Sequence, residues 1–154
     1  MTLVERLLAQ VPVIEGFVRV SVVDAVTGQV LGSRRAGESG TTDDGTFAVA
    51  TDDASVHEAP ADSRPAHDVR WEHSALAAAT TEILQVLGAT IAAGALDEDL
   101  QDLVITLSGH HHLVRLLPDV AGTDLYLLLT VDRAGSNLAL ARHQLLAFEV
   151  PLVA

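Results

Sequence analysis

The sequence predicts an α/β (α+β) domain: a five-stranded antiparallel sheet with flanking helices, in the order α-β-β-α-β-β-β-α. Strand-like segments, alternating or continuously apolar, occur in groups of two and three between segments with a helical period. The links between neighbouring strands are short and rich in turn residues, which favours antiparallel hairpins. The chain has 154 residues and no Cys, and this length supports one core without covalent cross-links.

The first unit is a helix followed by two strands. A short helix is predicted over Thr2–Gln10, because Thr2 and Glu5 form a T-x-x-E capping box. Phe17–Val23 alternates with a period of two and predicts a strand. A turn containing Asp, Thr and Gly then leads to a second strand over Gln29–Ser33, so the pair predicts a β-hairpin.

The segment from Ala36 to Arg70 is predicted to be a loop inserted into a single domain that spans residues 1–154. It is rich in Gly, Pro and acidic residues, and such a composition buries too little apolar area to form a core. Within it, only Thr46–Thr51 alternates like a strand. Two interpretations stay open for that segment, an irregular loop or an added edge hairpin.

The longest predicted helix covers Trp71–Ala93 and ends at Gly94. One face carries its larger apolar residues: Leu76, Thr80, Ile83, Leu84, Leu87 and Ile91. The other positions are mostly Ala, so almost no polar face remains. A helix that is apolar nearly all round is buried on more than one side, whereas one sheet offers a single layer. We therefore expect the second side to contact another chain.

Three strands and a helix complete the predicted order. The strands are Leu103–Ser108, His112–Leu117 and Leu125–Val131. We expect Pro118 to end the second of them and Asp119–Thr123 to form the next turn. The continuous apolar run of the last strand is typical of a central strand covered on both faces. Gly135–Glu149 predicts a final helix with Ser136 or Asn137 near its N-cap.

Three parts of the chain together resemble the roadblock / dynein light chain family. They are Val18–Asp24 continued through Gly28 to Leu31–Ser33, the helix Ala75–Ala93, and Leu125–Asp132 followed by Asn137–Arg142. The resemblance implies a roadblock-like (profilin-like) sandwich that forms a homodimer through the long helix and the third strand. It also implies a non-enzymatic platform for Ras-like GTPases, as in bacterial regulators of gliding-motility GTPases. The long segment at 36–70 departs from the family pattern.

The predicted partner interface combines the Ala-rich side of the long helix with the third strand. Its residues are Ala75, Ala78, Ala79, Glu82, Val86, Ala89 and Ala93 on the helix, and Val104 and Thr106 on the strand. The function that follows is a homodimeric scaffold or regulator of a small Ras-like GTPase, which would stimulate hydrolysis only by ordering the GTPase switch loops. The alternative is a small-molecule sensor domain with the 36–70 loop as a lid.

Composition argues against several other partners. Twenty-one Asp and Glu against nine basic residues give a net charge of −12, which repels nucleic acid and anionic lipid. Ala75–Leu96 is long enough to cross a bilayer, but Glu82 and Gln85 favour a buried helix over membrane insertion. The lack of Cys and of a basic leader segment predicts a cytoplasmic protein.

The motifs of common enzymes are missing from the sequence. It has no phosphate-binding loop, no nucleophile elbow and no H-E-x-x-H helix, so we expect neither catalysis nor a cofactor. His110-His111-His112 invites a metal hypothesis, but adjacent strand residues point to opposite faces, and we expect an exposed turn and no metal. Arg115, Arg133 and Arg142 are expected to be solvated or salt-bridged.

Overall fold

The computed structural model describes residues 1–37, 66–94, 97–120 and 122–149, with the backbone alone described at 66–72. The helices are α1 (Leu3–Gln10), α2 (Ala66–Ala93) and α3 (Leu138–Leu146). The strands are β1 (Phe17–Asp24), β2 (Val30–Arg35), β3 (Asp102–Thr106), β4 (His110–Val120) and β5 (Thr123–Asp132). They form one sheet in the order β2-β1-β5-β4-β3, and every neighbouring pair is antiparallel. The predicted fold class and element order are confirmed.

Two apolar clusters on opposite faces of the sheet divide the domain into three layers. On one face, Leu7 of α1 and Leu145 of α3 pack with the sheet residues Val20, Leu113 and Leu129. On the other face, α2 covers a smaller cluster of sheet residues: Val23, Val114, Tyr126 and Leu128. Side chains of β5 contribute to both clusters, because successive residues of a strand point to opposite faces. The prediction that this strand is central and doubly covered is confirmed.

Helix α1 begins where the capping box predicts. The Glu5 backbone N–H donates to Thr2 Oγ1 at 3.2 Å, and the Thr2 N–H donates to Glu5 Oε2 at 2.5 Å. The helix then crosses β2 at Gly32, where a Cβ atom would lie 2.6 Å from Val4 Cγ1. Glycine at this position therefore allows the helix to approach the sheet closely.

Helix α2 begins at Ala66 and not at Trp71. The predicted 36–70 loop is wrong for its last five residues, which are helical. Pro65 comes directly before the helix in the sequence, and a proline is favourable there because its missing N–H would have no helical partner. Most of the loop, with the Thr46–Thr51 segment, lies outside the described residues.

Strand β4 continues through Pro118, so the prediction that this proline ends the strand is wrong. The register shifts between Leu117 and Val120, and Asp119 has a φ of 53°. An irregularity of this kind removes the need for a ladder N–H at proline. The turn is correspondingly tighter than predicted, because Val120 already pairs with Thr123.

Helix α3 is shorter than the predicted Gly135–Glu149. It begins after Asn137, whose side chain accepts the Leu140 N–H at 3.0 Å, so Asn137 is the N-cap residue of the two candidates, Ser136 and Asn137.

Among the described side chains of α2, a narrow strip is buried against the sheet: Ala77, Thr80, Thr81 and Leu84. At its centre, Tyr126 of β5 donates its hydroxyl to the Ala77 carbonyl at 2.8 Å. Thr81 Oγ1 lies 2.9 Å from the same carbonyl and 2.8 Å from the tyrosine oxygen, and it can donate its one proton to either of them. A further contact joins Gln85 Nε2 to the Val26 carbonyl in the β1–β2 turn at 3.0 Å. Both the packing of small residues and hydrogen bonds therefore hold this helix on the sheet.

We expect Gly32→Ala to destabilise the domain by about 1–3 kcal/mol, because the new methyl group would overlap Val4 and push α1 away from β2. Gly88→Ala is the matched control, since a methyl group there meets nothing within 4 Å in the described part of the chain. Within helix α2 the same change should be stabilising by up to about 1 kcal/mol. Urea unfolding measures both, and equal midpoints would contradict the prediction.

We expect Thr81→Val to cost about 1–2 kcal/mol of unfolding free energy, because it leaves the buried Tyr126 hydroxyl with one partner fewer. Thr90→Val is the control. Thr90 also donates to the carbonyl four residues earlier in α2, but it is exposed. Its replacement should change stability by less than about 0.5 kcal/mol. Similar losses of unfolding free energy in the two variants would show that the contact between Thr81 and Tyr126 does not stabilise the domain.

Candidate partner interface

The outward side of α2 forms an exposed surface of small residues, which we call the α2 face. Its members are Ala75, Ala78, Ala79, Glu82, Val86, Ala89 and Ala93, and all seven are exposed. Val86 is the one large apolar side chain among them, and it retains 66% of its accessible surface. Glu82 is the one charged residue between Ser74 and Ala93. Because alanine allows helices to approach closely, this face is suited to packing against another chain.

The end of α2 extends beyond the sheet. The buried strip continues in the direction of Gly88, yet Gly88 is exposed and a Cβ atom there meets nothing within 4 Å among the described residues. Within the single chain, one strip of the described side chains of α2 is buried, and burial of a second side by another chain stays a prediction. Ile83, predicted on the buried face, is 43% exposed.

Length and composition alone would also allow this helix to cross a membrane. His73–Ala93 has a mean hydropathy of 1.4 in its most apolar window, and 22% of that window is buried. Helices of soluble cores have similar compositions, so this feature is weak evidence for a membrane span.

The two predicted strand residues lie on the other face of the sheet from α2. Val104 packs against the cluster beneath α1 and α3, and Thr106 Oγ1 lies 3.0 Å from His111 Nδ1. Alternation places Leu103 and Ile105 on the α2 side instead. The structure thus brings the helix residues together but leaves Val104 and Thr106 apart from them. The β3 strand can still join the same surface through its backbone, because it forms one edge of the sheet.

The sequence-based interface missed the apolar residues on the flank of α2 that faces β3. Ile83 lies about 160° around the helix from Gln85, which contacts the β1–β2 turn, and so it points toward the β3 edge. Ile105 of β3 is half-buried on the same side of the sheet. The strand pattern fixed which residues share a face, but it did not show which of the two faces meets α2.

The three consecutive histidines lie in β4, so the predicted exposed turn is wrong. His111 and His112 are buried on opposite faces, in agreement with the strand alternation, while His110 is exposed. His112 Nδ1 lies 2.9 Å from Thr130 Oγ1. Among the described residues, no group of three or more His, Asp or Glu side chains is arranged to hold a metal ion.

A groove with a volume of about 520 Å³ lies between β4 and α3. Arg142 forms a two-pronged ion pair with Asp102 across its rim, at 2.5 and 3.0 Å, and this contact lowers the pKa of Asp102. Arg115 donates to the Leu145 and Phe148 carbonyls at the end of α3. All three charged side chains of the groove already have protein partners, so they do not form the converging free groups that a small-molecule sensor requires.

No protein-family model matches the sequence, and no curated protein is significantly similar to it. Solved structures do share its fold. MglB of Myxococcus xanthus superimposes with a TM-score of 0.53 at 12% identity, over 92% of this chain and 75% of that one. A second structure, described as MglB with a tetrameric arrangement, gives 0.51 at 15% identity, over 92% and 76%.

The third comparison names the fold. A Roadblock/LC7 domain from Streptomyces avermitilis superimposes with a TM-score of 0.50 at 13% identity, over 93% of this chain and 85% of that one. These superpositions show a shared fold. At identities this low they do not show a shared function, which has to be argued from the site. With its five-stranded antiparallel sheet between α2 and the pair α1 and α3, this chain has the roadblock/LC7 fold.

Proposed function

We propose that this protein is a non-enzymatic, homodimeric regulator or scaffold of a small Ras-like GTPase. The observation that carries the proposal is the α2 face, an exposed and nearly uncharged helix side on a domain whose opposite sheet face is already covered. The roadblock/LC7 fold supports it, as does the sequence resemblance to a family of GTPase platforms. We place the protein in the cytoplasm, where such GTPases act.

A second copy of the chain is the first partner that the α2 face suits. Interfaces around a two-fold axis are self-complementary, so a helix face of small residues meets its own copy without mismatched shapes. Helix α2 has 28 residues and is about 42 Å long at 1.5 Å per residue. Specific interfaces bury about 1,200–2,000 Å² in total. A helix of this length, together with the β3 edge, offers a surface of the required extent.

The GTPase would meet a composite surface made by the two paired α2 helices. One asymmetric partner seated across the two-fold axis excludes a second, which gives a stoichiometry of two chains to one GTPase. The chain needs no catalytic side chain for this role. Contacts that order the GTPase switch loops and its water-positioning residue stabilise the competent state without a donated group.

We expect Ala79→Glu to convert the dimer into monomers, because it adds a second carboxylate from each chain, beside Glu82, to a closely packed contact. Ala139→Glu is the matched control, since Ala139 is exposed on α3 and lies outside the proposed interface. Sedimentation velocity at micromolar concentration measures the mass of each variant. A wild-type protein that sediments as a monomer would contradict the homodimer.

We expect the dimer to bind a small Ras-like GTPase from the same genome in a nucleotide-dependent way, because the switch loops rearrange when the γ-phosphate leaves. Calorimetry with the GTPase loaded with GDP or a non-hydrolysable GTP analogue measures affinity and stoichiometry. Free nucleotide titrated into the dimer alone is the control and should release no heat. Undetectable binding in both states, by an intact dimer, would overturn the proposal and favour the sensor alternative.

A further inference from the structure

A histidine joins the start of α2 to the sheet through a largely buried hydrogen bond. His73 Nε2 lies 2.5 Å from Ser21 Oγ of β1, and Ser21 is completely buried. His73 is itself half-buried, and Ala77, one turn later, is the first fully buried residue among the described side chains of the helix. This pair is therefore well placed to hold the first turns of α2 against the sheet.

The described groups around His73 are basic or neutral. Arg19 of β1 and Arg35 of β2 pair across the sheet, and each has further polar contacts of its own. Thr130 of β5 pairs with both Arg19 and His112 of β4 in the same row. His112 is only 7% exposed and faces the same side as His73.

Two further titratable groups lie at the edge of this basic cluster. The ring of His110 is 6.3 Å from that of His112. Asp132 is opposite His110 in the register, but its carboxylate accepts the Ala134 N–H in the following turn. Among the described residues, this carboxylate is therefore engaged in its own turn.

These surroundings keep His73 neutral at pH 7. Burial, followed by Arg19, His112 and Arg35, lowers the pKa of His73 to about 4. Burial also lowers the pKa of His112. A solvated histidine has a pKa of about 6.5, so protons bind more tightly to the released side chain than to the attached one. The free energy that His73 contributes to holding α2 on the sheet is complete above pH 6.5, and it is lost progressively as the pH falls toward 4.

We propose that His73 is an acid-sensitive latch, and that protonation of its imidazole releases the first turns of α2 while the sheet stays intact. An imidazolium has only N–H donors, so its contact with Ser21 can only donate, and its charge is unfavourable in this largely buried site beside Arg19 and Arg35. Among the described side chains of α2, Ala77, Thr80 and Thr81 make up most of the buried strip, and elements held by few apolar contacts are the ones that open locally. The sheet face beneath α1 and α3 contains none of these groups.

The latch would also regulate the proposed partner surface. Ala75, Ala78 and Ala79 follow His73 within two turns, and release of that segment removes the first part of the α2 face. This consequence rests on the proposed function, whereas the latch rests only on contacts within one chain.

Hydrogen exchange followed by mass spectrometry tests the latch in the free, full-length protein. The opening constant for peptides covering residues 73–80, corrected for intrinsic exchange, should rise about 30-fold from pH 7.5 to pH 5.0, as the two pKa values require. Peptides from β5 serve as the internal reference and should change much less. His73→Gln keeps a side chain that can bond Ser21 but does not titrate, so most of the 30-fold change should disappear.

Two more variants make the result decisive. His143→Gln removes an exposed histidine of α3 and should leave the pH dependence as in the wild type. Ser21→Ala should raise the opening constant already at pH 7.5, because the attached imidazole loses its partner. An unchanged pH response in His73→Gln, or equal responses of α2 and β5 peptides, would overturn the latch. A wild-type protein that is monomeric at both pH values would contradict the proposed homodimer without altering the exchange result.

Discussion

The attachment of α2 to the sheet is the constraint on which the rest of the structure depends. Helix α2 has 28 residues, and from His73 onward, where its side chains are described, the buried residues are Ala77, Thr80, Thr81 and Leu84. Alanine and threonine remove little apolar surface from water, so hydrophobic burial alone contributes less here than a strip of leucines would. Hydrogen bonds add to this contact at three positions along the helix. They join it to Ser21 of β1, to Tyr126 of β5 and to the β1–β2 turn. Small residues also predominate on the outer side of the helix, at Ala75, Ala78, Ala79, Ala89 and Ala93.

The opposite side of the sheet shows why the two faces have different roles. There α1 and α3 cover a cluster that includes buried leucines from both helices and from β4 and β5. Arg115 reinforces this side by binding the last carbonyls of α3 and lying 5.7 Å from the ring of Phe148. One face of the domain is thus closed by its own chain. The other is covered by a single helix whose outer side is apolar, and an exposed apolar surface of this kind marks a contact site.

The sequence pattern predicted those features that depend on local chemistry. The capping box at Thr2, the N-cap at Asn137 and the doubly covered strand β5 each follow from residues close together in the chain. The errors arose where distant residues decide the outcome. Pro118 is accommodated by a register shift that involves β5, and His112 is buried because Thr130 lies beside it. Val104 and Thr106 stay a predicted part of the partner surface. Their side chains lie on the sheet face opposite α2, and which face α2 covers depends on the packing of the whole sheet.

The many small residues of α2 have two effects. They limit the apolar contact between the helix and the sheet, and they give the helix an outer side that can pack against a partner. Binding to the α2 face stabilises the attached state of the helix by mass action, since a partner that binds only this state shifts the equilibrium toward it. Loosely attached elements are the ones from which binding and switching segments are drawn. Polar attachments add a property that apolar packing lacks, because a hydrogen bond to an imidazole changes with protonation and a leucine contact does not. The Ser21–His73 contact therefore links the ionisation of one side chain to the position of the helix that carries the α2 face.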